Sequence, residues 1–298
     1  MYKTLKDIQS LIDQSKPRKR LALAVSQDAH SLEAVNKAFH SGIIEPILVG
    51  SKDETLKIAH EMKLDFTGAV FIDENNPEKA VETAVKMVNE KKADFLMKGN
   101  IPTPSLLKAV LNKEWGLRTG NLLSHFALFE TENYHKLIAI TDVAMNIAPN
   151  LNDKTGIINN SVSFLNKIGI KMPKVAVIAA IETVNENMQA TIDAAMLSIM
   201  NRRGQIKGCI IDGPLAFDNA VSFESASHKK IESAVAGDAD LLIMPDIEAG
   251  NVLYKSLVWF AKAKVASVIL GASAPIVLTS RSDSEESKFD SILLATVG

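Results

Sequence analysis

What the chain has least of is cysteine. One thiol, Cys209, occurs in 298 residues, which excludes a disulfide framework and a thiolate metal cluster. Apolar runs of membrane-spanning length are missing. A signal-peptide pattern is missing too, because Lys3, Lys6 and Asp7 break up the first apolar residues. Neither sign of charge dominates: the formal net charge is −2, and no basic stripe runs along a helix, so there is no nucleic-acid footprint. The expectation is a soluble cytoplasmic protein with no membrane and no nucleic-acid partner. G-x-G-x-x-G and G-x-x-x-x-G-K-[ST] do not occur, which removes the dinucleotide fingerprint and the P-loop. Without H-E-x-x-H or paired Cys/His spacing no metal site is expected, and without G-x-S-x-G there is no hydrolase elbow.

What is present is length enough for two domains or one large one, with nearly half the residues apolar. Runs rich in Val, Ile and Leu alternate with segments of helical period, the pattern of βαβ units and a mostly parallel sheet. Residues 4–16 are read as a helix. Strands are expected at 21–25, 46–49, 69–72 and 95–97, with helices from 29 to about 40, after Ser51, over 77–91 and around 104–112. Residues 122–129 and 137–140 read as a strand pair. Helices at 152–168 and 187–203 follow, with strands at 174–179, 209–211 and 241–244. Cys209 is read as a buried strand residue. A helix entered through 245–251 ends near 262, and the last strands are 265–270 and 276–278. A polar turn at 141–150 is the natural domain boundary.

The final unit is the most informative. The apolar run Pro275-Ile276-Val277-Leu278 breaks at Thr279-Ser280-Arg281, and Ser282 stands three residues before Glu285, a capping-box spacing. Ser280 and Arg281 are therefore expected at a strand's carboxyl end, ahead of a helix N-terminus, where ligands bind in open α/β sheets and amides favour anions. A hydroxyl and a guanidinium there suit phosphate or carboxylate; the plain alternative is a capped loop with a surface salt bridge. Other polar clusters also follow strands. They are Lys98-Gly99-Asn100, Asp142, Asp212-Gly213-Pro214, and the Glu248, Gly250 and Asn251 of the segment 245–251. In a doubly wound sheet they could converge on one cleft. Each has a plainer reading: a turn, a helix-opening acid or a solvated lysine. Arg118 is a candidate second anion ligand or a surface residue, and His125 a packed histidine or a base.

Taken together, Met97-Lys98-Gly99-Asn100, Thr141-Asp142, Asp212-Gly213-Pro214-Leu215, Pro245-Asp246-Ile247-Glu248-Ala249-Gly250-Asn251 and Leu278-Thr279-Ser280-Arg281 resemble the phosphate acetyl/butyryltransferase family, in order over almost the whole chain. The compact length and Trp115-Gly116-Leu117-Arg118-Thr119 are more similar to its butyryl branch. The resemblance implies an isocitrate/isopropylmalate-dehydrogenase-like fold of class α/β. That fold has two α/β/α domains with mostly parallel sheets (1–141 with about 270–298, and 142–269) and the site in the interdomain cleft. It implies reversible acyl transfer between coenzyme A and inorganic phosphate through a ternary complex, giving acyl phosphate and free CoA. No tightly bound cofactor is implied, and the assembly would be a homodimer or larger.

In that reading Arg281 holds the phosphate or acyl phosphate, Ser280 hydrogen-bonds near the sulfur or carbonyl oxygen, and the other clusters bind substrate. One departure stands out. In the acetyl branch an aspartate seven residues after the motif serine is the proposed base for the CoA thiol; here that position is Ser287. Asp283, Glu285 or Glu286 could substitute or could be helix-opening acids. The alternatives are a phosphate acetyltransferase, a non-catalytic CoA- or acyl-phosphate-binding protein, and a metal-dependent 2-hydroxy-acid decarboxylating dehydrogenase, whose clustered aspartates and nicotinamide site are not found. Acyl-chain length is left open.

Overall fold

A computed structural model describes residues 2–12, 17–279 and 283–298. In chain order the elements begin with α1 (Leu5–Gln9), β1 (Lys19–Ala24), α2 (Ala29–His40), β2 (Ile44–Gly50) and α3 (Lys52–Glu61). Next come β3 (Val70–Asp73), α4 (Pro77–Asn89), β4 (Phe95–Lys98), α5 (Thr103–Val110), β5 (Ser124–Glu130) and β6 (Ile138–Thr141). They continue with α6 (Leu151–Lys167), β7 (Lys174–Ile178), α7 (Gln189–Arg202), β8 (Ile210–Leu215), α8 (Phe217–Val221) and α9 (Phe223–His228). The chain closes with β9 (Leu241–Ile243), α10 (Ile247–Trp259), β10 (Lys264–Leu270), β11 (Ile276–Val277) and α11 (Glu285–Val297).

These elements form two compact units. The first is Ile8–Asn121 with Ala266–Gly298. Its strands run in the order β3-β2-β1-β4-β11-β10, all parallel except β10, which is antiparallel to β11. Leu21 to Ala24 and all of β4 are buried, as a parallel sheet covered on both faces requires. Helix starts follow local chemistry. Asp28 caps α2, and Asn76 caps α4 by accepting from Glu78 N (3.0 Å) and Lys79 N (3.1 Å) ahead of Pro77. Ser51 accepts from Glu54 N at 3.4 Å, as its spacing predicts.

The second unit is Leu122–Val265 with the N-terminal residues up to Asp7. Its strand order is β5-β6-β9-β7-β8, parallel except for the β5–β6 hairpin. Phe129, Ile140, Ile178, Leu242 and Val265 anchor its core. A reciprocal capping box joins Asn150 and Asp153 at the start of α6, each bond 3.0 Å.

Several expectations change. The units divide at 121/122 and 265/266 rather than near 141 and 269, because β6 pairs with β9 and draws its hairpin into the second unit. Asp212, Gly213 and Pro214 lie inside β8 rather than after it, and Cys209 stands one residue before that strand. The short helices α8 and α9 occupy a stretch without strong period. Ser282 lies outside the described residues, and the cap of α11 is Ser284, which accepts from Ser287 N at 3.1 Å.

Candidate functional site

In the first unit, register brings three strand ends level. Ala24 pairs with Lys98, and Met97 with Val277, so the residues after β1, β4 and β11 leave the sheet along one edge. At the end of β1, Val25 takes a positive φ of 59°. For a β-branched side chain that costs of order 1–3 kcal/mol and recurs where surrounding structure fixes a functional turn. Here Gly99 N donates to Ala24 O (2.9 Å) and Asn100 N to Val25 O (2.9 Å). A Cβ on Gly99 would lie 2.2 Å from Val25 O, so glycine is required for this crossing of two backbones.

Around these ends, residues 27–31, Lys98, Gly99, Asn100, Thr279 and Lys288 enclose a cavity of about 410 Å³, within the range of small-molecule sites. The amino end of α2 opens on it, with Asp28 as N-cap accepting from Ser31 N at 3.2 Å and from the Ser31 hydroxyl. Lys98 is buried, and its Nζ donates to Gly99 O (3.1 Å) and Ile101 O (3.2 Å). Lys288, on the first turn of α11, is 2 % exposed and donates to Asp283 O at 3.1 Å. Burial holds its ammonium pKa below the ordinary lysine value, against the opposite pull of Asp283 and Asp28. Two lysines and a helix N-terminus, against a carboxylate occupied in capping, suit an anionic ligand. Thr279 leads directly into Ser280 and Arg281, which lie outside the described residues.

Of the expected binding residues, then, Lys98, Gly99 and Asn100 are brought together here. Arg118 belongs to the same unit but not to the cavity wall. It is exposed, bridges Ala272, and has no ion pair or side-chain hydrogen bond among the described residues.

The remaining residues lie in the second unit. Asp142 is buried, and its carboxylate accepts from His125 N (3.2 Å), Ala144 N (2.8 Å), Met145 N (2.9 Å) and Asn146 Nδ2 (2.6 Å). It orders a turn. Asn251 Nδ2 donates to Val143 O at 3.1 Å, and a Cβ on Gly250 would lie 2.5 Å from Asp142 O, so α10 packs onto that turn. Glu248 is exposed on the first turn of α10. Gly213 fits against Val177 and Ala194, and Ser198 donates to its carbonyl at 3.2 Å, which is packing of β8 on β7 and α7. His125 is a packed residue whose ring meets Tyr254 edge-on at 6.0 Å. Burial pushes the Cys209 thiol up to about 11, which makes it a poor nucleophile.

Sequence reasoning missed Asp28, His30 and Lys288 as site residues. A strand followed by Ser-Gln-Asp at a helix start was the available signal for the first two. Among the described residues no group of three or more His, Cys, Asp or Glu is placed to hold a metal ion, and no helix is long and apolar enough to cross a membrane.

Comparison with known proteins shows the family to which the chain belongs. The family model described as phosphate acetyl/butaryl transferase matches residues 4–83 and 75–296. The chain is 50% identical over 283 residues to a phosphate butyryltransferase of Clostridium acetobutylicum, covering 95% of this chain and 94% of that one. It is 47% identical over 291 residues to a phosphate acetyltransferase of Thermotoga maritima, covering 97% and 99%. The crystal structure of a branched-chain phosphotransacylase from Enterococcus faecalis superposes with a TM-score of 0.84 at 33% identity, over 94% of this chain and 98% of that one. With the family model spanning nearly every residue, the chain belongs to the phosphate acetyl/butaryl transferase family.

Proposed function

We propose that this protein transfers a short-chain acyl group reversibly between coenzyme A and inorganic phosphate, with butyryl or a similar chain as its substrate. The observation that carries this reading is the cavity at the ends of β1, β4 and β11, with its two buried lysines and the N-terminus of α2. A phosphate oxygen attacks the thioester carbonyl carbon, the C–S bond breaks, and the thiolate leaves; acyl phosphate and CoA result. Both substrates are held at once, so no protein nucleophile is needed. Lys98 and the α2 amides attract the phosphate, Gly99 lets the backbone approach it, and Asn100 supplies a polar contact. Arg281 grips two phosphate oxygens and Ser280 hydrogen-bonds the carbonyl oxygen or sulfur. Arg118, exposed and outside the cavity wall, adds positive charge to the same unit without a contact to the phosphate.

Asp142, Asp212, Gly213, Pro214, Glu248, Gly250 and Asn251 are the second unit's members of the substrate-binding set, and the Asp142 carboxylate, committed to four donors, is scaffold rather than contact. CoA enters as a substrate, the protein works in the cytoplasm, and it assembles as a homodimer or larger. The 47% identity to an acetyltransferase supports a second reading in which acetyl is the preferred group.

Phosphate-dependent CoA release from acetyl-, propionyl-, butyryl- and isobutyryl-CoA, followed with a thiol reagent, separates the two. Four-carbon substrates are expected to turn over fastest, and Arg281→Ala to lose about 100-fold or more, as removal of a transition-state donor does. Preference for acetyl-CoA favours the second reading. CoA binding without turnover of any thioester rejects both and leaves a binding protein.

A further inference from the structure

Gln27 is held in place from both sides, yet its side chain makes no hydrogen bond. Before it, Ser26 N donates to Val49 O at 3.0 Å, and the Ser26 hydroxyl is bonded to the Thr55 hydroxyl of α3 at 2.8 Å. After it, Asp28 N donates to Ser26 O at 2.8 Å, and the Asp28 carboxylate caps α2. Between these fixed neighbours the half-buried Gln27 side chain is oriented by packing alone. Its Oε1 is buried over Gly50 at the end of β2, where a Cβ would lie 2.3 Å from it. Among the described residues no donor meets that oxygen, and Nε2, equally unpartnered, is not buried.

A buried carbonyl without a donor costs stability, and such an exception in a folded chain calls for a reason. Covering Gly50 is not a sufficient one, because a methionine would cover it without orphaning an oxygen. The reason lies at the other end of the amide. The two ends of a carboxamide diverge from Cδ, so seating Oε1 on Gly50 turns Nε2 away from β2. Gln27 lines the cavity that also holds Lys98 and the amino end of α2. Nε2 brings two N–H donors there and no charge.

We infer that Gln27 is a phosphate-binding residue, its Nε2 donating to an oxygen of the inorganic phosphate or acyl phosphate in this cavity. Gly50 positions it by having no Cβ. The identity of the anion rests on the acyl-transfer reading of the cavity. Lys98 and the α2 amides attract the anion, but Lys98 also holds the carbonyls of Gly99 and Ile101. A neutral donor with its other end pinned adds direction rather than further charge.

The test takes the dissociation constant of inorganic phosphate from the rise in melting temperature with phosphate at fixed ionic strength. Wild type, Gln27→Met and Gln27→Glu are compared. Methionine keeps the length of the side chain without an N–H; glutamate keeps its shape and puts a negative oxygen where the donor was. Phosphate should bind at least tenfold more weakly to Gln27→Met, the loss expected for a hydrogen bond to a charged group. Binding to Gln27→Glu should be weaker still, because like charges then face each other. The KM for phosphate should rise in the same order, while the KM for acyl-CoA stays within twofold of wild type. Without phosphate, Gln27→Met should melt no lower than wild type, since no hydrogen bond within the chain is lost.

Phosphate binding by Gln27→Met within twofold of wild type would overturn the proposal. So would Gln27→Glu binding phosphate as well as Gln27→Met, or an equal rise in both KM values. A lower melting temperature of Gln27→Met without phosphate would make the residue structural and overturn it too. A wild type that binds phosphate but releases CoA from no thioester overturns the acyl-transfer reading alone and leaves the Gln27 contact standing.

Discussion

At the residue scale, Gly99 shows how a backbone position can be chemical without carrying a side chain. Its Cα faces Val25 O and Ala24 O so closely that a methyl group would meet them at 2.2 and 2.8 Å. Carbonyl oxygens held by the β1–β4 ladder cannot yield as a flexible side chain could. Gly99→Ala is therefore expected to destabilise the fold by about 1–3 kcal/mol, the usual cost of overpacking, and to displace Lys98 and Asn100 from the cavity. Urea denaturation alongside CoA-release rates tests this: unchanged midpoint and rate would mean the two strand ends separate freely. Asp142 makes the complementary point. Its type and place at a strand end read as functional, yet four donors have already claimed its oxygens. Sequence could not foresee that, because three of those donors are backbone amides whose direction depends on the turn.

At the element scale, the second unit's strands are tied at their amino ends by ion pairs. Asp238 accepts from Lys174 (2.6 Å) and His135 (2.8 Å) and pairs with buried Lys136 (2.9 Å), which also reaches Asp240 at 2.6 Å. Burial alone would raise the Asp238 carboxyl, but hydrogen bonds from Lys174, Lys136 and His135 outweigh it and hold the pKa below the usual carboxylate range. A depressed folded pKa gives stability that is present above the unfolded value of about 3.9 and lost as pH falls through the folded one. Thermal melting of Asp238→Asn should therefore lie below wild type at pH 7, and the gap should narrow as pH falls from about 4. A gap constant across that range would show that the charge is not what stabilises the network.

At the scale of the whole molecule, α10 is apolar along much of its length yet buries only Gly250 fully. Val252, Trp259 and Phe260 stand 65 %, 61 % and 88 % exposed at and just beyond it. Large apolar side chains grouped this way mark an association surface, and in the proposed homo-oligomer a second copy covers them. Trp259→Glu with Phe260→Glu should shift the sedimenting species from dimer or larger toward monomer, while leaving the fold of each chain intact. A wild type that already sediments as a monomer rejects the assembly.

The sequence by itself determined the order and type of nearly all elements, because alternating buried strands and amphipathic helices leave periods that survive without tertiary context. It also determined the helix starts at Asp28, Ser51 and Asn76, where the caps are local chemistry. Through the order of its motifs it pointed to the family. Tertiary structure alone decided that β6 pairs with β9, which moved the unit boundary, and that β8 runs on through Asp212, Gly213 and Pro214. It alone set Lys288 beside Lys98 and the start of α2. Residues 28, 98 and 288 are brought to one cavity by strand register across a sheet whose order departs from chain order, and no local pattern encodes that register.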